Sequence, residues 1–179
     1  MMEAIKRGQA YVLYFMAYSI IGWLYEVFLE VVVYGWEFSN RGVLLGPYLP
    51  VYGVGALAIL CLLRRLRNRN IIWRRICITP FLVFFGVALI ATGIELAASY
   101  FLEWTTGSWL WDYQRFAFDF QGRIALNPSI RFGLWGLCVF YGIQPWLERK
   151  NGRLTEKSRS WLAGAVLVVL SMEIIYWMI

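Results

Sequence analysis

Histidine is absent from this 179-residue chain, and cysteine occurs only three times. The lack of histidine excludes histidine-ligated metal sites, Ser-His-Asp triads and imidazole proton relays. Cys61, Cys77 and Cys138 are isolated and lack the spacing of metal ligands, so we interpret them as small apolar fillers. Any chemistry must therefore depend on carboxylates, arginines, tyrosines, hydroxyls or backbone groups, and no cofactor is expected.

Charged residues are also scarce, at 16% of the chain, whereas 60% of the residues are apolar and 18% are aromatic. A soluble core of this size does not need so much apolar surface. Five apolar runs are candidate membrane spans, at residues 10–34, 43–63, 79–102, 132–147 and 161–179. The fourth run is short, so either the preceding segment extends it or the membrane beside it is thinned. The sequence predicts an all-α membrane protein with about five transmembrane helices in one domain, residues 1–179.

The basic residues predict the orientation of these helices. Two precede the first run, six lie between the second and third runs, and five lie between the fourth and fifth. With five spans, these residues all fall on one side, which the positive-inside rule identifies as cytoplasmic. The N-terminus is then cytoplasmic and the C-terminus is outside. We interpret the net charge of +6 as such membrane anchors, which also attract anionic lipid headgroups, and not as a nucleic-acid-binding surface.

Carboxylates are the costliest feature of the predicted helices, because each costs roughly 2.5–3.5 kcal/mol near the middle of a bilayer. Five glutamates lie within or at the rims of the apolar runs: Glu26, Glu30, Glu95, Glu103 and Glu173. Helical spacing puts Trp23, Glu26 and Glu30 on one face of the first helix. The same spacing groups Glu95, Ser99 and Glu103 on the third. We expect these faces to point toward the protein interior, around a polar site.

The second apolar run contains two prolines and several glycines, beginning with Gly46, Pro47 and Pro50. Such residues remove backbone hydrogen bonds and break a helix. In lipid, the freed backbone groups are tolerated only where protein or a water-filled cavity satisfies them, and broken helices of this kind often form the binding site of a transporter. The alternative is a proline kink that serves packing alone.

The segment from Glu103 to Arg131 is too polar to span a membrane and is rich in aromatic residues. Phe116, Phe118 and Phe120 alternate, which predicts an extended chain. Between the third and fourth helices, we expect this amphipathic aromatic segment to form a cap over the outer mouth of the bundle. A loop lying on the lipid headgroups is the alternative.

Several short motifs follow one another from the first run into the fourth. They are Tyr18–Glu26, Asn40–Gly42, Gly46–Pro50, Tyr52-Gly53, Glu95, Ser99, Tyr100, Glu103, Trp111–Tyr113, Gly122–Ile124 and Trp135-Gly136. With these motifs the chain resembles the small bacterial membrane proteins grouped as the ABC-transporter type IV, or CmpB-like, family. The resemblance implies a role in transport and a place in the bacterial cytoplasmic membrane. The sequence has no Walker motif, so an ATPase working with it would be a separate chain.

The residues that are costly to place in a membrane coincide with the family motifs, and together they predict one outward-facing polar site. We expect Glu26 and Glu95 to act as central ligands or proton carriers there, and Arg41 and Arg123 to balance charge or hold an anionic group of the substrate. The predicted substrate-binding residues are Trp23, Glu26, Glu30, Arg41, Gly46, Pro47, Tyr48, Pro50, Tyr52, Glu95, Ser99, Glu103, Asp112 and Arg123.

Three functions are compatible with such a site. The first is a transporter or permease component for a small polar or cationic substrate, working as a homodimer or as the membrane subunit of a larger complex. The second is a membrane-embedded enzyme for a lipid or lipid-linked substrate, in which paired carboxylates act as acid and base or Glu95, Glu103 and Asp112 hold a divalent metal. The third is an accessory subunit whose carboxylates pair with the arginines. Eight acidic residues but only four cations lie in the spans or outside, which favours a function over pure pairing.

Overall fold

We analysed a computed structural model, which describes residues 2–38, 40, 46–109 and 111–178. The described chain is mainly helical. Helix α1 (Met2–Phe28) continues as a π-helical turn over Leu29–Val33, and α2 (Pro50–Arg67) and α3 (Thr79–Thr106) follow. Helix α4 (Leu126–Cys138) passes through a π-helical turn over Val139–Ile143 into α5 (Gln144–Gly152), and the last helix is α6 (Glu156–Met178). Two short antiparallel hairpins complete it, namely β1 (Ile72–Trp73) with β2 (Ile76–Cys77), and β3 (Asp119–Phe120) with β4 (Ile124–Ala125).

Among the residues that the structure describes, three stretches of helix are long and apolar enough to cross a membrane: Glu3–Val33, Thr79–Thr106 and Glu156–Tyr176. Large apolar side chains cover their outer surfaces, and Leu89 on α3 is 77% exposed. An apolar surface of this extent requires a lipid environment. The all-α membrane protein is therefore confirmed, while the total of about five spans stays a prediction.

The predicted break in the second apolar run lies just before α2. Residues 46–49 are not helical, and the helix begins at Pro50 and runs without interruption through Gly53 and Gly55. Proline suits this first position, because its fixed φ fits the helix and its missing N–H group would have no helical acceptor there. Pro50 thus starts a helix instead of interrupting one.

The fourth apolar run is extended by the preceding segment, as one of the two alternatives predicted. Helix α4 begins at Leu126, directly after strand β4, and not at Phe132. The π-helical turn that follows it buries Phe140 completely. Continuous helix from Leu126 to Gly152 therefore compensates for the shortness of the apolar run itself.

The described chain divides into two compact units, and each is presented separately. The first comprises Met1–Ala58 and Leu147–Ile179. In it, α1 packs along α6, with a hydrogen bond of 2.9 Å from Gln9 to Ser160 and an ion pair between Lys6 and Glu156. The start of α2 lies very close to α1, because a Cβ atom at Gly53 would come within 2.4 Å of the Ser19 Oγ atom. Small residues allow this close packing of helices in membranes.

The second unit comprises Ile59–Trp146, and its core lies between α3 and α4. Two glycines of α4 allow the contact. A Cβ atom at Gly133 would come within 2.5 Å of the Phe84 ring, and one at Gly136 would come within 2.5 Å of Val87. Val83 and Val87 are almost completely buried in this interface. The close contact holds α3 firmly beside α4 and so supports the segment that connects them.

The extended chain predicted from Phe116, Phe118 and Phe120 is wrong for the first two residues. Residues 114–118 form turns and a bend, Phe118 has a positive φ of 58°, and only Asp119–Phe120 is a strand. The local reason lies just before these residues, where the Asp112 carboxylate accepts a hydrogen bond of 2.9 Å from the Gln114 N–H group and the Tyr113 carbonyl accepts one of 2.9 Å from the Phe116 N–H group. Acidic side chains that bind nearby N–H groups favour turns over strands.

Candidate functional site in two polar clusters

The first cluster joins Glu26 of α1 to Tyr52 of α2. The Tyr52 hydroxyl donates a hydrogen bond to the Glu26 Oε1 atom. Gly22 makes this possible, because a Cβ atom at that position would come within 2.2 Å of the Tyr52 ring. Gly22 and Glu26 are one helical turn apart on the same face of α1. The glycine therefore provides space for the ring, and the glutamate receives its hydroxyl.

Two other predicted residues of α1 hold the chain that leaves this helix. The Trp23 indole N–H donates a hydrogen bond of 3.0 Å to the Asn40 Oδ1 atom, and its ring meets Phe38 edge-on. Glu30 lies in the π-helical turn and is only 4% exposed, and its carbonyl accepts a hydrogen bond from the Trp36 N–H group. Both residues thus stabilise the described chain that follows α1, at Trp36 and Asn40.

Glu173 of α6 contacts the non-helical chain before α2. Its Oε1 atom accepts a hydrogen bond of 3.2 Å from the Gly46 N–H group. The Tyr48 hydroxyl is buried and interacts with the Glu173 carboxylate. Within the described residues, neither that hydroxyl nor the Glu173 Oε2 atom has a hydrogen-bond partner of ordinary geometry. Buried polar atoms without partners are rare and mark a place where a ligand or water can bind.

The backbone of this stretch is supported from α1. The Leu49 N–H group donates a hydrogen bond of 2.9 Å to the Ser19 carbonyl oxygen, and the Tyr48 N–H group donates one of 2.9 Å to the Gly46 carbonyl. Pro47 has no N–H group to satisfy. Irregular backbone at membrane depth is tolerated when protein groups supply such bonds. Residues 46–49 are therefore an ordered, non-helical part of the first unit.

The second cluster surrounds Arg123, which is only 5% exposed. The Arg123 Nη2 atom forms an ion pair with the Glu103 carboxylate, and Nη1 lies 3.4 Å from the Ser99 hydroxyl oxygen. The guanidinium carbon lies 4.2 Å from the centroid of the Tyr100 ring and 4.0 Å from that of Trp109. Aromatic faces attract a cation, and the attraction grows when water is excluded. A cation, a carboxylate and two rings therefore stabilise one another here.

The segment between α3 and α4 folds back onto α3 through further hydrogen bonds. The Tyr113 hydroxyl donates a bond of 2.8 Å to the Glu95 Oε1 atom, and the Trp111 indole donates one of 2.8 Å to the Arg123 carbonyl. The Tyr113 N–H group also donates to the Gly122 carbonyl, at 2.8 Å. Glu95 and the stripe predicted on α3 therefore bind this segment, which we call the cap segment (residues 111–125).

Asp112 shapes the backbone of the cap segment. Its Oδ1 atom accepts a hydrogen bond of 2.9 Å from the Gln114 N–H group. Gly122 has a φ of +69°, and a Cβ atom at this position would come within 2.6 Å of the same Asp112 oxygen atom. The structure does not bring Asp112, Glu103 and Glu95 together around one point, and the described residues contain no group of three or more potential metal ligands. Each of the three carboxylates instead has its own protein partner.

The predicted site residues thus fall into two sets within the described chain. Trp23, Glu26, Glu30, Gly46, Pro47, Tyr48, Pro50 and Tyr52 belong to the first unit, and Glu95, Ser99, Glu103, Asp112 and Arg123 belong to the second. Arg41 lies outside the described residues. A single outward-facing site that includes both sets stays a prediction.

Sequence reasoning omitted several partners from the predicted site: Glu173, Tyr100, Trp109, Trp111 and Tyr113. A signal for some of them was available. Glu173 is a carboxylate within an apolar run, and Tyr100, Trp111 and Tyr113 belong to the short motifs. Nothing in the sequence pairs Trp109 with Arg123, because that contact depends on the fold of the cap segment.

Long apolar helices with partly buried carboxylates define the class of this molecule, an integral membrane protein of the α-helical type. The particular family follows from sequence comparison. A family model described as "Putative ABC-transporter type IV" matches residues 13–178, and the chain belongs to this family. No curated protein and no solved structure matches the chain. Family membership connects the protein with transport across membranes, and the details of the site extend that connection only as a proposal.

Proposed function

We propose that the protein is a transporter or permease component that binds a small polar or cationic substrate through Glu26 and Glu173. The observation that carries the proposal is that both carboxylates bind one short stretch of chain, at Gly46 and at Tyr52. This stretch contains the non-helical residues that precede α2. Helix ends with irregular backbone next to charged groups are typical of substrate sites in transporters.

The charge balance of these two residues favours a cation. Tyr52 and the Gly46 N–H group are neutral donors, and neither Glu26 nor Glu173 has an ion-pair partner within the described residues. An ionised carboxylate away from water is costly without a compensating positive charge. A bound cation or proton would remove that cost. The buried Tyr48 hydroxyl would then orient a polar group of the substrate next to Glu173.

Binding at this position would also affect the backbone. A cation at the Glu173 Oε2 atom would draw the carboxylate toward itself and so weaken the hydrogen bond that the Oε1 atom accepts from the Gly46 N–H group. Release of that hydrogen bond would loosen the chain at Gly46, while Leu49 stays attached to Ser19, and such a local change is of the kind that gating requires. In such a system a separate protein chain would hydrolyse ATP. A homodimer is a simpler assembly than a complex with such an ATPase.

The test is binding of small cations to the purified full-length protein. We would measure the thermal midpoint in one detergent with ammonium, potassium or spermidine chloride at constant ionic strength. The variants are Glu26→Gln and Glu173→Gln, and the control is Glu37→Gln, which changes an exposed carboxylate of the same unit. We expect at least one cation to raise the midpoint of the wild type and the control, and to have little effect on the two variants.

Two results would contradict the proposal. If no cation shifts the wild-type midpoint, the acidic site does not bind this class of substrate. If Glu26→Gln and Glu173→Gln respond as strongly as Glu37→Gln, the cation binds elsewhere. A substrate found in this way would next be followed in vesicles that contain the protein, where uptake that is lost in Glu26→Gln supports transport.

A further inference from the structure

The hairpin formed by β1 and β2 connects α2 to α3 within the second unit. Ile72 pairs with Cys77, and Trp73 pairs with Ile76. The two residues between the strands, Arg74 and Arg75, have positive φ values of 47° and 71°. A two-residue connection with this backbone matches the twist of a hairpin, but it favours asparagine and glycine. Two arginines at the tip are therefore held in a conformation that their Cβ atoms disfavour.

The apolar residues of this hairpin are exposed on both faces. Ile72 is 67% exposed, Trp73 is 63% exposed and Ile76 is 62% exposed. An isolated two-stranded hairpin is at best marginally stable in water. Tryptophan with neighbouring aliphatic residues is typical of the boundary between lipid headgroups and acyl chains. The exposed surface of the hairpin thus has the composition of a segment that lies in a membrane interface.

Thr79 attaches the hairpin to the end of a membrane-spanning helix. Its hydroxyl, which is buried, accepts a hydrogen bond of 2.9 Å from the Ile71 N–H group and donates one of 2.7 Å to the Arg69 carbonyl. The Ile78 N–H group closes the base of the hairpin by donating to the Ile71 carbonyl, at 2.9 Å. Because α3 begins at Thr79 and is a candidate span, the hairpin lies at the level where that helix leaves the membrane.

The charge of the chain that connects α2 to α3 is entirely positive. Six arginines lie between the end of α2 and the hairpin tip: Arg64, Arg65, Arg67, Arg69, Arg74 and Arg75. The sequence has no acidic residue between Glu37 and Glu95. Guanidinium groups bind phosphate in a bidentate geometry, and basic segments beside a span attract anionic lipids. The Arg74 guanidinium also lies 5.4 Å from the Trp73 ring, so the cation and the aromatic group occupy neighbouring positions.

We propose that the Ile72–Cys77 hairpin binds the headgroups of anionic phospholipids in the membrane that contains the protein. Arg74 and Arg75 contact the lipid phosphates, while Trp73 and Ile76 lie at the boundary with the acyl chains. This inference does not depend on the proposed transport function, because the hairpin shares no residue with the site around Glu26 and Glu173.

The test uses a variant that improves the turn while removing its charge. Arg74→Asn with Arg75→Gly creates the sequence that a turn of this type prefers, so the hairpin should fold at least as well as in the wild type. The control is Arg153→Gln with Lys157→Gln, which removes the same charge from exposed positions elsewhere. We would measure the thermal midpoint of each full-length protein in detergent with added phosphatidylglycerol, phosphatidylcholine or inorganic phosphate.

We expect phosphatidylglycerol to raise the wild-type midpoint more than phosphatidylcholine does. The Arg74→Asn/Arg75→Gly variant should lose most of this difference without a lower midpoint in phosphatidylcholine, and the control should keep it. The proposal is overturned if the hairpin variant keeps the full difference. It is also overturned if the control loses as much, which would indicate a general effect of net charge. An equal shift with inorganic phosphate would overturn it as well, because a lipid would then not be required.

Discussion

Arg123 stacks on Trp109, with its guanidinium carbon 4.0 Å from the centroid of the indole ring. Trp109 lies just after the end of α3, and Arg123 lies in the turn between β3 and β4. The contact therefore ties the beginning of the connection between α3 and α4 to its later part. Glu103 and Tyr100, both on α3, complete the surroundings of the cation. This buried arginine thus helps to hold the cap segment against α3, together with the bond from Tyr113 to Glu95.

We predict that Arg123→Lys destabilises the second unit. Lysine keeps the positive charge, but it cannot bind Glu103 and Ser99 with a planar fork or stack in the same way on Tyr100 and Trp109. We expect a loss of roughly 1–3 kcal/mol in the free energy of unfolding, within the range of charge-assisted hydrogen bonds and cation–π contacts. Denaturant titration in detergent measures the loss. Arg153→Lys, at an exposed position, is the control, and an equal effect in both variants would argue against the role of Arg123.

We predict that Gly122→Ala is more harmful than Gly107→Ala. Both glycines have positive φ values, of 69° and 81°, so alanine brings a backbone cost of roughly 1–2 kcal/mol at either position. Only at Gly122 would the new Cβ atom also meet the Asp112 carboxylate, at 2.6 Å, whereas nothing lies within 4 Å at Gly107. Thermal midpoints of the two variants compare the effects. Equal midpoints would show that the contact with Asp112 does not constrain the cap segment.

We predict that Gly53→Ala separates α1 from the start of α2. The added Cβ atom would lie 2.4 Å from the Ser19 Oγ atom and 2.7 Å from the Phe15 carbonyl oxygen. Overpacking of this kind typically costs about 1–3 kcal/mol in the free energy of unfolding.

Gly55→Ala is a matched control for this prediction, because nothing lies within 4 Å of its Cβ position and alanine favours helix. We therefore expect Gly55→Ala to leave stability unchanged or slightly raised in the same unfolding assay. A Gly53→Ala protein as stable as Gly55→Ala would contradict the close approach of the two helices.

We predict that Tyr113 and Glu95 are energetically coupled. Tyr113→Phe removes the hydroxyl that donates to the Glu95 Oε1 atom at 2.8 Å, and Glu95→Gln replaces the acceptor carboxylate. A hydrogen bond to a charged group contributes about 1.5–3 kcal/mol, so a double-mutant cycle should give a coupling energy of that order if the carboxylate is ionised. Tyr11→Phe with Glu95→Gln provides the uncoupled comparison. A coupling energy near zero would mean that the cap segment is held by other contacts.

Much of the fold could be predicted because lipid permits few solutions. The apolar runs indicated α3 and α6 to within five residues and α1 apart from the eight residues at its start, since backbone groups in a membrane must form hydrogen bonds within the segment itself. Prediction failed in the cap segment, where alternation of Phe116 and Phe118 suggested a strand. There the bond from Gln114 to the Asp112 carboxylate and the turn from Tyr113 to Phe116 replace the strand, and hydrophobic periodicity contains no information about such bonds.

The candidate site, like the fold, could be predicted from the sequence only in part. Spacing along α3 correctly grouped Glu95, Ser99 and Glu103 on one face, because residues three or four apart are neighbours on any helix. Spacing could not show that Glu95 binds Tyr113 or that Glu103 binds Arg123. Those partners come from a segment whose path depends on several turns.

The sequence by itself determined that this chain is a helical membrane protein, that costly carboxylates lie within its apolar runs, and that α3 presents them as a stripe. These properties depend on composition and on the helical period, which are local. Only the tertiary structure decided which group each carboxylate binds: Tyr52 for Glu26, Gly46 for Glu173, and Arg123 for Glu103. The physical reason is that a hydrogen bond or an ion pair requires atoms a few ångströms apart, and residues far apart in sequence reach that distance only after helices pack and turns close.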